Sequence, residues 1–157
     1  MSDAPTSSSH HTLQLDHQVC FALYSASLAM TKLYKPLLQP LGLTYPQYLV
    51  MLVLWEQDDC MVSELGERLF LDSGTLTPLL KRMETSGWLQ RQRDSADERR
   101  VRIVLTSAGH ALREKVASVP VSLLQHTHCT PSELQALREQ VQKLRDHLVA
   151  LASPASP

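Results

Sequence analysis

Residues 62–106 read VSELGERLFLDSGTLTPLLKRMETSGWLQRQRDSADERRVRIVLT, and the hydrophobic period changes inside them. Ser63–Leu69 is expected as a short helix and Asp72–Thr85 as a second, closed by Ser86-Gly87, a pair suited to a helix C-cap. The pattern then turns β-like. WLQRQR (88–93) and RVRIVLT (100–106) flank the polar turn DSADER, which predicts a hairpin with a loop of roughly six residues. Pro78 strains this scheme. It has no N–H, and its ring meets the carbonyl of Gly74, so either the first turn is distorted or the regular helix begins near Thr77.

Working outward, Thr44 with Gln47 forms a capping-box pattern that starts a helix running to about Trp55, apolar nearly all round and therefore buried. Helix, short helix, helix, hairpin is the order of a winged helix-turn-helix, placed over about residues 44–106. Upstream, apolar residues recur at three and four from Leu15 to Leu38, and Pro36 and Pro40 end or bend that helix. Downstream, Thr106 caps a helix through Val116 to Leu124. Thr130, Pro131 and Glu133 then form a second capping box. The last helix carries Leu134, Leu137, Val141, Leu144, Leu148 and Leu151, a narrow apolar seam. The seam needs a partner helix, in the same subunit or in a second one. The fold class is mainly α with a small β-hairpin wing. One domain is expected over residues 13–152, with a disordered arm at 1–12 and a tail at 153–157.

Composition narrows the function. A net charge of −1 confines any nucleic-acid contact to a local patch. Residues 1–12 are polar and lack an apolar signal core, and the longest apolar run, Tyr48–Trp55, is too short to span a bilayer, so a soluble, cytoplasmic protein without a membrane partner is expected. Three widely spaced cysteines, Cys20, Cys60 and Cys129, make no secreted disulfide framework, and no C-x-x-C pair suggests zinc. No cofactor motif stands out. His126, His128 and Cys129 (HTHC) read as loop before the last helix rather than as metal ligands.

The local patch lies at residues 81–102, where seven basic side chains face four acids. One reading is an electrostatic footprint for the DNA backbone; the other is a solvated, salt-bridged hairpin. After the helix pair the first is favoured. Ser73, Thr75 and Thr77 near the start of the recognition helix, with Lys81 and Arg82, are the major-groove candidates. Arg93, Arg99 and Arg100 belong to a wing long enough to reach the minor groove, with Asp97 bracing one of them.

LTYPQYLVMLVLW (43–55), VSELGERLFLDSGTLTPLLKRMETSGWLQRQRD (62–94) and DERRVRIVLTSAG (97–109) together resemble the MarR family of winged-helix repressors. VCFALYSA (19–26), with Tyr34 and Tyr45, is similar to its OhrR branch, which senses organic hydroperoxides; the likeness covers about residues 13–150. It implies a homodimer built by helices 13–40 and 107–152 that binds a pseudo-palindromic operator in double-stranded DNA and leaves it on oxidation. It implies that Cys20 is the peroxide-reactive thiol. It also implies the two-cysteine type, in which Cys129 traps Cys20 as a disulfide. Cys60 fits neither role and is expected to be structural.

By itself a cysteine in an apolar helix is usually a small hydrophobe, so the redox role comes from the resemblance. A reactive thiol must be accessible and ionised. Asp16 as N-cap would put Cys20 about one turn into the helix, where the dipole favours an anion. Tyr24 lies one turn on, on the same face. Tyr34 is too far along a continuous helix to touch Cys20 within one chain, at about 1.5 Å per residue. If Tyr34 and Tyr45 donate hydrogen bonds to the thiolate, as the resemblance suggests, they come most simply from the other subunit, in a pocket made apolar by Phe21, Leu28, Met51 and Trp55; the alternative is ordinary core packing. Two other functions stay open: a MarR-type repressor released by a phenolic ligand, and a thiol peroxidase, for which no fold signal exists.

Overall fold

The computed structural model describes residues 13–97 and 99–152. The expected arm over 1–12, the tail over 153–157 and Glu98 of the wing turn lie outside them. The described residues fall into two compact units, one ending at Ala117 and the other beginning at Ser118.

In the first unit a 3-10 turn, Leu15–His17, precedes α1 (Val19–Leu38). Asp16 is therefore not the N-cap of the first helix. Gln18, in extended backbone, separates the turn from α1 and takes the N-cap place, its side chain donating back to Gln14 O at 3.3 Å rather than capping the helix, and Cys20 becomes the second residue of α1. The helix passes through Pro36 and ends at Leu38, ahead of a 3-10 turn holding Pro40. In α2 (Tyr45–Glu56) the capping box forms: the Gln47 side chain accepts from the Thr44 N–H at 2.8 Å. Its Val50, Met51 and Leu54 are almost wholly buried.

Strand β1 (Cys60–Met61) leads into α3 (Val62–Leu69) and α4 (Ser73–Thr85). Asp72 caps α4, accepting from the Thr75 N–H at 2.8 Å, and the helix is continuous from Ser73 through Pro78. The later start near Thr77 is not adopted, because the Asp72 cap fixes the first turn ahead of the proline. At the other end Gly87 takes positive φ; its N–H donates to Glu84 O and that of Trp88 to Met83 O, a Schellman closure that turns the chain straight into β2 (Leu89–Arg93). Strand β2 pairs antiparallel with β3 (Val101–Leu105), Leu89 opposite Leu105 and Arg93 opposite Val101. The sheet has a third member, since β1 pairs with the outer edge of β3, Cys60 opposite Ile103. Helix α5 (Ser107–Val116) follows, capped by Thr106. The core of this unit gathers Leu38, Leu54, Leu65, Leu76, Leu80, Met83, Leu89 and Ile103.

The helix expected from Thr106 to Leu124 is two helices. It breaks at Ala117-Ser118, and α6 (Val119–Thr127) opens the second unit with Pro120 in its first turn. Pro120 has no N–H to continue the ladder of α5. His128, in left-handed backbone, ends α6, so His126 belongs to a helix and not to a loop. The Thr130–Glu133 capping box then starts α7 (Pro131–Ala152). Among the described residues no single helix is long and apolar enough to cross a membrane.

Candidate functional site

The charged patch is sorted by the structure into two classes of cation. Arg91 is held by Glu84: one carboxylate oxygen accepts its backbone N–H and the other its Nε, both at 2.8 Å. The Glu84 carboxyl sits below its ordinary range, first through that backbone N–H and then through the guanidinium. Arg102 is gripped by Asp59, which accepts from Nε at 2.7 Å and from Nη2 at 2.6 Å. Lys81, Arg82, Arg93, Arg99 and Arg100 are exposed. The patch is thus a salt-bridged stem with a solvent-facing set of cations beside it.

The loop 94–100 is built by two aspartates. Asp94 Oδ1 accepts from the N–H of Ala96 at 2.8 Å and of Asp97 at 3.4 Å, and the Asp94 N–H donates to Arg100 O at 2.8 Å. Asp97 accepts from the Arg99 N–H at 3.1 Å and lies 3.6 Å from Arg99 Nε. That pair leaves the Arg99 side chain 95% exposed. At the start of α4, Ser73 is exposed and Thr77 half-buried, while the Thr75 hydroxyl donates to Asp72 at 3.1 Å and so shares the cap.

The three cysteines carry free thiols in different settings. Cys20 is exposed in the first turn of α1, and Tyr24, one turn on, is 62% exposed. Cys129 is exposed ahead of α7, its Sγ 3.3 Å from Thr127 O. Cys60 is buried in β1, and burial first, then Glu64, pushes its thiol up to about 11. Burial and the raised thiol both favour the protonated form, the less nucleophilic one.

Tyr34 and Tyr45 do come together, 4.6 Å between ring centroids, and Tyr48 completes the group at 5.6 Å from Tyr34. Burial pushes the Tyr34 hydroxyl up to about 12, with its two neighbours adding to the shift. It is therefore a proton donor at any physiological pH. Cys20 and Tyr34 lie in one unbroken α1, so about 21 Å separates them along its axis and they do not meet within the chain. Of the four residues expected to line an apolar pocket, only Phe21 and Leu28 stand on the α1 surface. Met51 is fully buried in the core, and Trp55 is turned to α5, its Nε1 donating to Gly109 O at 3.0 Å.

Comparison with known proteins places this geometry. Residues 32–116 match the model of the SarA/Rot transcriptional regulators. The chain is 51% identical over 138 residues to the HTH-type transcriptional regulator TtmR of Methylorubrum extorquens, covering 88% of this chain and 71% of that one. It is 46% identical over 136 residues to the organic hydroperoxide resistance transcriptional regulator of Bacillus subtilis, covering 87% and 92%. The chain belongs to the MarR family of winged-helix transcriptional regulators. Among solved structures of such regulators it is similar to AbfR of Staphylococcus epidermidis, with 34% identity and TM-score 0.77 over 91% of this chain and 97% of that one. AbfR has been solved reduced on DNA, with TM-score 0.73 and 36% identity over 88% and 98%, and in a disulfide form, with TM-score 0.60 and 34% identity over 91% and 95%. In this MarR-family chain the matched model takes in the tyrosine group and the wing and stops short of Cys20 and Cys129.

Reasoning from sequence missed Tyr48, Glu84, Asp59 and Asp94. Tyr48 is masked by an all-apolar helix. Glu84 and Asp59 reach their arginines across 7 and 43 residues, which no local pattern reveals. Asp94 had a readable signal, an aspartate opening a polar turn.

Proposed function

We propose that this MarR-family chain is a repressor that binds operator DNA as a homodimer and leaves it when an organic hydroperoxide oxidises Cys20. The observation that carries the reading is the exposed, free Cys20 thiol in the first turn of α1, where the partial positive charge of the helix start lies. The thiolate sulfur attacks one peroxide oxygen, the O–O bond breaks, and the alcohol leaves with a proton as Cys20 becomes a sulfenic acid. The Cys129 thiol then attacks that sulfur, the S–O bond breaks, and water leaves as the disulfide forms. Two thiols are oxidised and one hydroperoxide is reduced.

Helix α1 exposes Val19, Leu23, Tyr24 and Leu28, and α7 buries no residue despite its seam, so each offers an apolar face for a second copy to cover. Across such a dimer Tyr34 and Tyr45 would donate to the Cys20 thiolate of the other copy, with Tyr24 beside it. On DNA, α4 presents Ser73, Thr75, Thr77, Lys81 and Arg82, and the wing presents Arg93, Arg99 and Arg100. The reading draws support from the hydroperoxide-resistance name of the Bacillus relative and from the reduced, DNA-bound and disulfide forms of AbfR.

The test is Cys20→Ser. Serine matches the thiol in size but forms no sulfenic acid. The variant is expected to bind operator like the wild type and to stay bound at a dose of cumene hydroperoxide that releases the wild type, whose binding dithiothreitol restores. Release of the variant at that dose rules out Cys20 as the sensor.

A further inference from the structure

Where α2 ends, three carboxylates are fastened to three other elements. Glu56 pairs with Arg68 of α3 at 2.5 Å. Asp58 accepts from the Leu105 N–H of β3 at 2.9 Å and lies 3.1 Å from His110 Nε2 of α5. Asp59 takes both Nε and Nη2 of Arg102 in β3. Asp58 acts here as a substitute strand. β1 is two residues long and pairs with Arg102 and Ile103, and the N–H of Leu105, two residues on, is taken by the Asp58 side chain.

Asp59 holds its arginine from left-handed backbone, φ 59, a conformation that glycine adopts freely and that costs other residues. Arg102 stands opposite Gln92, one step from the Arg93–Val101 pair that closes the loop carrying Arg99 and Arg100. A forked grip on Arg102 therefore holds the stem of the wing to the corner of α2, and the neighbouring carboxylates tie the same corner to α3 and α5.

We propose that this corner is a bracket that aims the wing at DNA, with Asp59 as the positioning residue and Arg102 as its handle rather than a phosphate contact. The inference rests on the reading of the hairpin as a DNA-contacting wing.

The test uses a duplex selected by the wild-type chain from a random pool, with affinity measured by fluorescence anisotropy across a salt series and Tm by thermal unfolding. Asp59→Gly is expected to weaken binding roughly fivefold or more. Its Tm should hold, because glycine relieves the backbone at this position. The slope of log K against log salt should not change, since no phosphate contact is lost. Arg102→Ala should behave alike, and the double variant should be no weaker than either single one.

Wild-type affinity in Asp59→Gly overturns the bracket. So do additive losses in the double variant, a Tm fall that tracks the affinity loss, and a salt slope reduced by about one in Arg102→Ala, which would make Arg102 a phosphate contact. Arg99→Ala separates the two levels. If it weakens binding while Asp59→Gly does not, the wing stands and the bracket fails. If neither weakens binding, the wing reading fails and the bracket with it.

Discussion

Arg99 extends from the tip of the wing with its side chain 95% exposed, while Arg91 lies in the stem under both oxygens of Glu84. The two should answer differently to truncation. On the proposed reading Arg99→Ala removes an exposed cation that displaces counterions from DNA, so operator affinity should fall and the salt slope should flatten by about one. Arg91→Ala removes a brace between α4 and β2, so Tm should fall while the slope keeps its value. Anisotropy titrations and thermal unfolding on both variants check this, and equal slopes for the two would remove the distinction. The distinction was not legible in the sequence, where seven cations look alike. Arg82 and Arg102 differ only by partners that the fold brings in from a distance. The tyrosines show the same limit. Tyr34 and Tyr45 were singled out, but their meeting depends on how α1 turns through Pro40 into α2.

At the scale of elements, α5 is set by one close approach. A Cβ on Gly109 would lie 2.0 Å from the Trp88 carbonyl oxygen, and the Gly109 carbonyl accepts from the Trp55 indole. Gly109→Ala must push the start of α5 off the turn between α4 and β2, at a cost of about 1–3 kcal/mol or more. A lower Tm is expected, together with weaker operator binding, because β3 leads directly into α5; an unchanged Tm would show that the contact yields freely. Elements marked by side-chain chemistry were readable in advance: the Thr44–Gln47 and Thr130–Glu133 boxes, the Ser86-Gly87 stop and the two-residue period of the hairpin. Those marked by a single position were not. Strand β1 is too short to show a period. Asp16 reads as a cap, yet the chain makes a separate turn there and leaves Gln18 in that place. The break before α6 had its signal in Pro120, outweighed by the apolar run around it.

Across the whole molecule, the apolar faces of α1 and α7 support the proposed homodimer, and Cys20 and Cys129 lie in different compact units. Oxidation by one equivalent of cumene hydroperoxide is expected to give a covalent dimer on a non-reducing gel, absent in Cys129→Ser. The break between α5 and α6 adds a second way to see that bond. Ala117 and Ser118 are exposed, and a protease that cuts the native chain there leaves Cys20 and Cys60 on one fragment and Cys129 on the other. Cut after reduction, the two fragments should migrate apart. Cut after oxidation, they should run as one species until reductant parts them, whereas capture of a small thiol by Cys20 would let them separate from the outset.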